Sequence, residues 1–563
     1  MATASLAAGA DFLHSSNGDN DSLLRIVQVR DLIAGQGWFD LTQYRMGLDG
    51  GFVMHWSRIV DAPIVAIVIA GTWLSGSQAI GEAVALILWP ILLFASALFL
   101  VLRSARLAHG EAAMLPALVT GGTALYAVGV FSPGIIDHHN FQLVQTLAMA
   151  WGIIARTPAS GLIAGGAAAA SLAIGAETMP YVALGGAVVA VLLLLRGRSE
   201  AGLAAGFGAG FSAAALAAFV ATVPASHWFS VACDSYSVAQ FAIAIVAGAG
   251  LVAVTRTADR PVATRAAALA TLGGAVGALL LIAFPQCVGD PFAEMDPLLR
   301  SHWLDMVTEA QSVVTLVVHE PDSVLFWFGT PVLALAVAAH LALRGKLSRG
   351  DAALAALIAG AVAVASWQVR GGIISVPLAA ILLSGWIARI RSSATAGGAQ
   401  QALTLSLAWL LSNTLVWGLA GDAIKAGDTA AKTTGVPSAC YDEASYEALA
   451  RLEPTTVAAI SNLGASILKY TPHRALAGPY HRNVAGNLAN LNILISAPDE
   501  ARRRIADVGV TILAVCPGDG ETTFLSEKAP DGLLARLSAG ADVPWLQQVS
   551  PEGEALQLYG VRP

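Results

Sequence analysis

The chain has 563 residues, of which 56% are hydrophobic, 12% are charged and 56 are glycine. Apolar runs of about 17 to 22 residues recur through its first three quarters, which excludes an ordinary soluble protein and predicts a polytopic α-helical membrane protein. The net charge of −7 says little, because the distribution of charge matters more than its sum, and no nucleic-acid partner is expected.

Residues 1–82 are predicted to form an N-terminal region with a first external loop. The first 60 residues contain neither a cleavable signal pattern nor a spanning helix. An acidic start to a helix-like segment, 19-DNDSLLRIVQVRD-31, is followed by 55-HWSRIVDAP-63. The next apolar run, 63-PIVAIVIAGTWLSGS-77, is short for a span, so we expect an interfacial or re-entrant helix there.

Residues 83–420 are predicted to form a transmembrane domain of about 12 spans. The spans are expected at roughly 83–103, 112–131, 141–156, 160–176, 178–195, 202–222, 236–254, 264–284, 324–343, 351–368, 371–388 and 402–420.

Lysine and arginine predict the orientation of these spans. One set of alternate loops contains nearly all the basic residues, whereas the opposite set, terminal regions aside, contains only Arg300 and Arg370. The basic set consists of Arg103, Arg106, Arg156, Arg196, Arg198, Arg256, Arg260, Arg265, Arg344, Lys346, Arg349, Arg389 and Arg391. Because basic loops stay in the cytoplasm, the N-terminal region, the 132–140 loop and the C-terminal region are placed on the opposite side. In a bacterial inner membrane that side is the periplasm.

All four cysteines fall on the predicted periplasmic side, at Cys233, Cys287, Cys440 and Cys516. Two disulfides can form in that oxidising compartment. The sequence does not choose among the three pairings, and buried free thiols are an equal alternative.

Residues 421–563 turn polar and are predicted to form a periplasmic α/β domain. A short strand, a turn, a helix and another strand are expected within 456-TVAAISNLGASILKYTPHRALAGPYHRN-483, and a helix near 498–508 leads to the strand 509-GVTILAVCP-517. The turn at Asn462-Leu463-Gly464 is a weak phosphate-site signal and more often only a turn.

Ionisable residues cluster at span ends on the predicted periplasmic side. Asp21 lies in the acidic first loop, Asp137 and His139 lie in 132-SPGIIDHHN-140, Glu309 lies in an acidic loop, and Arg370 opens a late span. Each has an alternative role, since Asp21 and Asp137 can cap helices, Glu309 can be a solvated acid, and Arg370 can reach the lipid headgroups.

Together these residues predict a metal and phosphate site. Carboxylates and an imidazole form a ligand set for Mg²⁺ or Mn²⁺, and an arginine provides a forked donor for phosphate. A phosphate-linked lipid donor needs both, because metal and guanidinium neutralise the leaving phosphate while a carboxylate orients the nucleophile.

At these residues the chain resembles the catalytic subunit of oligosaccharyltransferase, within the GT-C glycosyltransferase superfamily. The resemblance rests on Asp21, an Asp-x-His form of an acidic motif at Asp137 and His139, a Ser/Thr-x-Glu type motif at Thr308-Glu309, and Arg370. It covers about residues 19–420 in order, with the C-terminal domain following.

The resemblance implies a role for each residue. Asp21 would bind the metal and contact the acceptor nucleophile, and Asp137 and His139 would complete the metal site. Glu309 would reach the metal or the acceptor from a mobile external loop. Arg370 would hold the phosphate or pyrophosphate of a polyprenyl-linked sugar donor in the lipid bilayer, and the transmembrane domain would be the catalytic one.

Two features depart from the family. A Trp-Trp-Asp run that reads the acceptor is absent from the C-terminal region, where Trp545 is the only tryptophan. The acceptor is therefore left open as a periplasmic protein, lipid or polysaccharide. The family also has a membrane helix before the first acidic loop, which residues 1–18 cannot supply; a missing first span is favoured over an N-terminus that lies outside.

Further polar residues are candidates for contact with the acceptor or glycan, and a structural role is at least as consistent with their pattern. They are His55, His138, Tyr470, His473, Arg474, His481 and Arg482.

Two other functions compete with a glycosyltransferase. A transporter or flippase-like protein would place its ionisable residues near the bilayer midplane and often shows two related halves, neither of which the sequence indicates. A structural membrane subunit would leave Asp21, Asp137 and Arg370 without a role. We therefore expect a transferase.

Overall fold

The computed structural model describes residues 19–289, 292, 295–304, 311–392, 398–427 and 439–562. Before residue 280 the helices are α1 Asn20–Ile33, α2 Arg58–Ser75, α3 Gln78–His109, α4 Met114–Ala127, α5 His139–Ala155, α6 Pro158–Ile174, α7 Met179–Arg196, α8 Arg198–Thr222, α9 Val238–Val254 and α10 Val262–Ala278. The later helices up to residue 427 are α11 Pro297–His302, α12 Val313–His319, α13 Pro321–Leu343, α14 Arg349–Trp367, α15 Gly372–Ser392, α16 Ala399–Leu411 and α17 Thr414–Gly427.

The helices confirm a polytopic membrane protein. Among the described residues, nine helices are long and apolar enough to cross a membrane, and α16 with α17, bent by 79°, gives a tenth. Three predicted spans correspond to α4, α5 and α6, which have 14, 17 and 17 residues. These three are shorter than the 18 residues of the shortest of the nine, whereas α2, which was not predicted to span, is one of the nine; three fewer and one more give ten in place of about 12. The central helix is α15, most of which is buried.

The start of α2 and the start of α3 both contact α1, and α2 is long and apolar enough to span a membrane, unlike the interfacial or re-entrant helix predicted there. At its start, Asp61 Oδ1 accepts a hydrogen bond from Arg25 at 2.7 Å. Its end leads directly into α3, where Glu82 forms two bonds of 2.9 and 2.8 Å with Arg30. Arg30 also donates to the carbonyl of Lys469 in the C-terminal domain, so α1 connects the start of α3 with that domain.

Helix α1 joins the two hydrophobic cores of the molecule. Ile26 and Val29 pack into the core of the helical bundle. Leu23, Leu24 and Val27 pack into the core of the C-terminal domain. A helix that is apolar on opposite faces is buried between two partners, and residues 22–29 are all buried.

The loops divide between two faces of the bundle. At the basic face, Arg156 pairs with Glu200 and Arg389 with Asp351. At the opposite face, the N–H of Val369 donates to the carbonyl of Gln311 at 2.9 Å. Which of the two faces is cytoplasmic and which is periplasmic remains a prediction.

Two disulfides connect the four cysteines. Cys233 pairs with Cys287 between external loops, and Cys440 pairs with Cys516 within the C-terminal domain. The structure thus selects one of the three pairings that the sequence left open.

The C-terminal domain has a five-stranded sheet with the order β4-β3-β5-β7-β6. β3 is parallel to β4 and β5, whereas β7 is antiparallel to β5 and β6. The elements are β3 Thr456–Ala459, β4 Arg474–Ala475, β5 Val510–Val515, β6 Leu546–Gln548 and β7 Gln557–Val561, with α18 Glu447–Ala450, α19 Gly464–Tyr470, α20 Val484–Ile495, α21 Pro498–Val508, α22 Gly520–Lys528 and α23 Leu533–Ser538. The predicted α/β pattern is confirmed. A small hairpin of β1 Thr42–Gln43 and β2 Phe52–Val53 precedes α2.

An ion pair attaches an external loop of the bundle to this domain. Asp234 accepts bonds from Arg482 at 2.7 and 2.6 Å and lies 2.8 Å from His481 Nε2. Burial alone would raise the pKa of Asp234, but the bonds and charges of Arg482 and His481 outweigh it and hold the pKa well below its usual range. Cys233 is the preceding residue, so its disulfide fixes the loop that presents the carboxylate.

We predict that Asp234→Asn lowers the free energy of unfolding at pH 7 by about 2 kcal/mol, the size of a hydrogen bond to a charged group. Because the folded-state pKa is depressed, this stabilisation is present above about pH 4, the unfolded value, and is lost as pH falls further. Thermal unfolding of purified protein from pH 7 to pH 3 measures it.

The matched control is Glu447→Gln, which removes an exposed pair with Arg451 and should change stability by about 0.5 kcal/mol or less. An equal effect of both substitutions at pH 7 would contradict the role of Asp234.

Candidate metal and anion site

A cleft opens where the start of α5, the α6–α7 turn and the α14–α15 junction meet. Its empty volume is about 460 Å³, part of which is open to solvent. The polar side chains that line it are His139, Gln142, Thr178, Glu177, Tyr181, Gln368 and Arg370. Acidic, imidazole and cationic groups therefore face one volume.

Three side chains at or beside the cleft can hold a divalent metal, and two of them, His139 and Glu177, line it. His138, His139 and Glu177 each offer a ligand atom, and these atoms all lie within 4.8 Å of one another. Glu177 Oε1 is 2.8 Å from His138 Nε2 and 3.9 Å from His139 Nδ1. Imidazole and carboxylate ligands suit Zn²⁺ and other divalent ions.

The loop before α5 positions the two histidines. Asp137 Oδ1 accepts a hydrogen bond from the N–H of His139 at 2.8 Å, and the N–H of Ile136 donates to Ser22 Oγ at 2.9 Å. The loop is thereby held against the first turn of α1. Burial is the main cause that lowers the pKa of His138, and the neighbouring His139 adds to it, so the ring of His138 is neutral near pH 7.

Glu177 comes from the short turn between α6 and α7. Its carboxylate folds back over Gly175, where an added Cβ would collide with both carboxylate oxygens. A residue without a side chain is therefore required at position 175 for this orientation. Gln142 Nε2 donates to Glu177 Oε1 at 2.8 Å, which holds the carboxylate toward the histidines.

Arg370 supplies the positive charge of the cleft. It lies in the turn Val369–Gly371, directly before α15, and it has no carboxylate partner within the described parts of the chain. Tyr181 lines the same space. A partly buried guanidinium without a counter-charge is suited to bind an anion.

The structure brings some of the predicted site residues together. His139 and Arg370 line the same cleft. Asp137 is buried next to His139, and Asp21 precedes Ser22 in the first turn of α1; neither lines the cleft. The helix cap predicted as an alternative for Asp21 belongs instead to Asp19, which accepts from the N–H of Ser22.

Glu309 lies outside the described residues. The described chain resumes at Gln311, which is bonded to Val369 beside Arg370.

The predicted acceptor contacts separate into two groups. His55 and His481 lie together, with ring centroids 4.5 Å apart, and Arg482 is bonded to the loop of the bundle at Asp234. Trp56 connects this group with His138 at 5.5 Å.

The second group has structural roles. His473 is 0% exposed, and its ring accepts from the N–H of Thr455 and lies 2.8 Å from the Leu449 carbonyl. It has no surface with which to contact an acceptor, which corrects that prediction. Arg474 is bonded to Asp49. Tyr470 packs against the ring of another tyrosine in the same domain.

Glu521 closes the turn that was a weak phosphate signal. Its carboxylate accepts from the N–H groups of Ser461 and Asn462, both at 2.9 Å. Burial raises the pKa of Glu521 to about 6. These backbone amides already donate to a carboxylate of the protein itself, so they are not available to a phosphate, and the turn has a structural role.

Sequence reasoning missed Glu177 and Arg25. Glu177 had a signal, because it is a lone carboxylate at a tight junction between two predicted spans on the same side as Asp137. Arg25 had none, since its contacts with Asp61 and His138 join residues 36 and 113 positions away.

The sequence matches no protein-family model. It also matches no curated protein.

Solved structures of an oligosaccharyltransferase from Archaeoglobus fulgidus share the fold. The enzyme AglB in complex with an inhibitory peptide and a dolichol-phosphate has a TM-score of 0.62 at 13% identity, over 95% of this chain and 72% of that one. The form tethered to an acceptor peptide with an NVT sequon has a TM-score of 0.67 at 12% identity, and the match covers 100% of this chain and 74% of that one. The complex with Zn and sulfate has a TM-score of 0.59 at 13% identity, and the match covers 93% of this chain and 67% of that one. The predicted likeness in fold to an oligosaccharyltransferase is confirmed.

We predict that purified protein binds Zn²⁺ at the His–His–Glu cluster and that Gly175→Ala weakens this binding at least tenfold, because the new Cβ displaces the Glu177 carboxylate. Isothermal titration with Zn²⁺ measures the affinity. The matched control is Gly166→Ala in α6, where an added Cβ meets nothing within 4 Å; equal affinities in the two variants would contradict the position assigned to Glu177.

Proposed function

We propose that the protein is a membrane glycosyltransferase that transfers a sugar or oligosaccharide from a polyprenyl-phosphate or polyprenyl-pyrophosphate donor to an acceptor on the side of the C-terminal domain. The proposal rests on one observation. A single cleft is lined by His139 and Glu177, two members of a cluster able to hold a divalent metal, and by Arg370, which has no carboxylate partner among the described residues. The shared fold with an oligosaccharyltransferase supports it.

Arg370 is proposed to bind the donor phosphate. Its guanidinium can form two parallel hydrogen bonds with phosphate oxygens, and Tyr181 lies on the same wall. As the bond to the sugar breaks, negative charge grows on the leaving phosphate. A guanidinium already fixed in the cleft stabilises that charge without having to move during the reaction. One such hydrogen-bond donor lowers the activation free energy by about 3–4 kcal/mol.

Glu177 and His139 are proposed to hold a divalent metal, with Asp21, Asp137 and Glu309 as the ligands that the family resemblance implies. Mg²⁺ and Mn²⁺ fit the carboxylates, whereas the imidazole favours Mn²⁺ or Zn²⁺. When bound, the ion would supply positive charge near the phosphate. The complex of the Archaeoglobus fulgidus enzyme with Zn and sulfate supports a metal and an anion in this fold.

The acceptor is proposed to approach between the bundle and the C-terminal domain. His55, His481 and Arg482 meet there, and Trp56 continues the surface to His138. Asp21 is proposed to orient the nucleophile. A protein acceptor is favoured by the acceptor peptide of the similar structure, and lipid or polysaccharide acceptors stay open because the Trp-Trp-Asp run is absent.

The active face is proposed to be the periplasmic face of a bacterial inner membrane. Two disulfides lie on the face that contains the cleft and the C-terminal domain, and disulfides persist in oxidising compartments. The arginine-poor loops are on the same face, as the orientation rule requires.

We predict that purified protein releases polyprenyl phosphate or pyrophosphate from a labelled polyprenyl-linked sugar when Mn²⁺ is present, and that Arg370→Gln lowers kcat about 10²–10³-fold, since a donor to the developing charge is lost. Asp21→Ala and Asp137→Ala are expected to remove most of the turnover. Chromatographic separation of donor and product measures the rates.

The control is Arg451→Ala, an exposed arginine of the C-terminal domain, which should keep normal turnover. Metal-independent turnover, together with full activity in Arg370→Gln, would exclude the proposed reaction; donor binding without transfer would favour the transporter or flippase-like alternative.

A further inference from the structure

We infer that the disulfide between Cys233 and Cys287 is a redox-sensitive clamp. While it is closed, two external loops of the bundle hold the C-terminal domain at one place, and its reduction by a dithiol releases the domain from these loops. The inference concerns the docking of the domain and does not depend on the proposed reaction.

The first loop, residues 223–237, binds the C-terminal domain through a charged contact. Asp234 accepts two hydrogen bonds from Arg482, and its Oδ2 lies 2.8 Å from His481 Nε2. Ser235 Oγ accepts a further bond from Arg482 at 2.8 Å. Two adjacent side chains of the domain therefore hold this loop.

The second loop follows α10 and reaches the same part of the domain. The ring of Phe292 packs with its edge against the ring of His481, with centroids 5.7 Å apart. Leu299 of α11 is 2% exposed and belongs to the hydrophobic core of the C-terminal domain. Arg300 donates to the carbonyl of Phe292 at 2.7 Å, which keeps these two contacts together. Both loops thus meet at His481.

The disulfide fixes the second loop where packing does not. It joins Cys233, the neighbour of Asp234 in the first loop, to Cys287 in the second, 54 positions away in the sequence. Helix α10, which leads to Cys287, has no buried residue. A segment with few buried contacts opens at low cost. The second loop therefore stays in place because the disulfide links it to the loop of Asp234.

This disulfide is the more accessible of the two. Cys233 and Cys287 are only partly buried, and Val288 beside them is 47% exposed. Cys440 and Cys516 are 1% and 0% exposed. Thiol–disulfide exchange requires access to a sulfur atom, so a dithiol in solution reduces the first bond before the second.

The reduction proceeds in two exchange steps. A thiolate of the dithiol attacks one sulfur and forms a mixed disulfide, and the other cysteine leaves as a thiolate. The second thiol of the reagent then attacks the mixed disulfide, so the reagent becomes a cyclic disulfide. The protein gains two electrons and the two protons that the reagent loses. A disulfide of an external oxidant closes the clamp again by accepting the two electrons.

Hydrogen exchange of the full-length protein in lipid nanodiscs, with and without dithiothreitol, tests the clamp. We expect reduction to accelerate exchange at least about tenfold in residues 297–302 and 481–483, because loss of a disulfide typically changes an opening equilibrium by more than that. Strand β5, residues 510–515, should not change, since the domain itself stays folded. Mass spectrometry of peptides measures the rates.

A variant without the clamp gives the second arm of the test. Cys233→Ser combined with Cys287→Ser should show the fast exchange without dithiothreitol and no further response to it. Alkylation of the reduced natural protein should label these two cysteines and leave the buried pair unlabelled.

Equal exchange in the oxidised and reduced protein would overturn the inference. Acceleration that includes β5 would also overturn it, because the domain would then unfold and not merely separate from the loops. Labelling of both cysteine pairs at the same rate would contradict the selectivity on which the clamp depends.

A further comparison tests the contacts while the disulfide is intact. Asp234→Asn combined with Phe292→Ala removes the charge and the ring that reach His481, and it should accelerate exchange in residues 481–483 of the oxidised protein. The matched control is Asp259→Asn, which removes an exposed pair with Arg198 at the basic face and should leave these rates unchanged. Protection that survives the double substitution would contradict the docking role of the two loops.

Discussion

The arrangement of the site depends on the buried guanidinium of Arg25. It lies on the helix shared by the two hydrophobic cores and reaches the histidine pair from there. A charge with no exposure is stable only when it is compensated, and loss of one partner of a buried pair typically costs about 3–5 kcal/mol. Asp61 and the Trp56 ring supply this compensation. The packing between the bundle and the C-terminal domain therefore positions the Arg25 guanidinium against His138.

Arg25 and Arg370 show that an arginine can stabilise the structure in one position and be available to bind a ligand in another. Arg25 is fully buried and paired with Asp61, which it shares with Arg58, so no ligand can reach its charge. Arg370 lies at the start of a helix, lines an open cleft, and lacks a carboxylate partner in the described chain. Its charge is therefore directed at whatever enters the cleft. His139 and Glu177 line the same cleft and provide an imidazole and a carboxylate that can bind a cation. The cleft is therefore suited to bind a phosphate and a metal together.

Local patterns in the sequence were sufficient for the fold and for part of the site. The strand and helix of 498–517 follow directly from apolar periodicity and appear as predicted. His139 and Arg370 were predicted because ionisable residues are rare at span ends, and both line the cleft, while their roles stay predictions. Glu177 and Arg25 were not, because their roles arise from contacts across the fold: Gln142 and Glu177 are 35 positions apart, and Arg25 and His138 are 113 apart. The sequence also placed His473 among acceptor contacts, since a buried, bonded histidine and an exposed one look alike without the sheet around them.

The central claim is that one cleft receives both the phosphate of a lipid donor and a divalent metal. A cryo-EM structure of the protein in lipid nanodiscs with Mn²⁺ and a polyprenyl phosphate tests it most directly. The account predicts phosphate density against the guanidinium of Arg370, with the ion between that phosphate and the side chains of His139 and Glu177. A phosphate bound away from Arg370, or an ion that none of these residues touches, would contradict it.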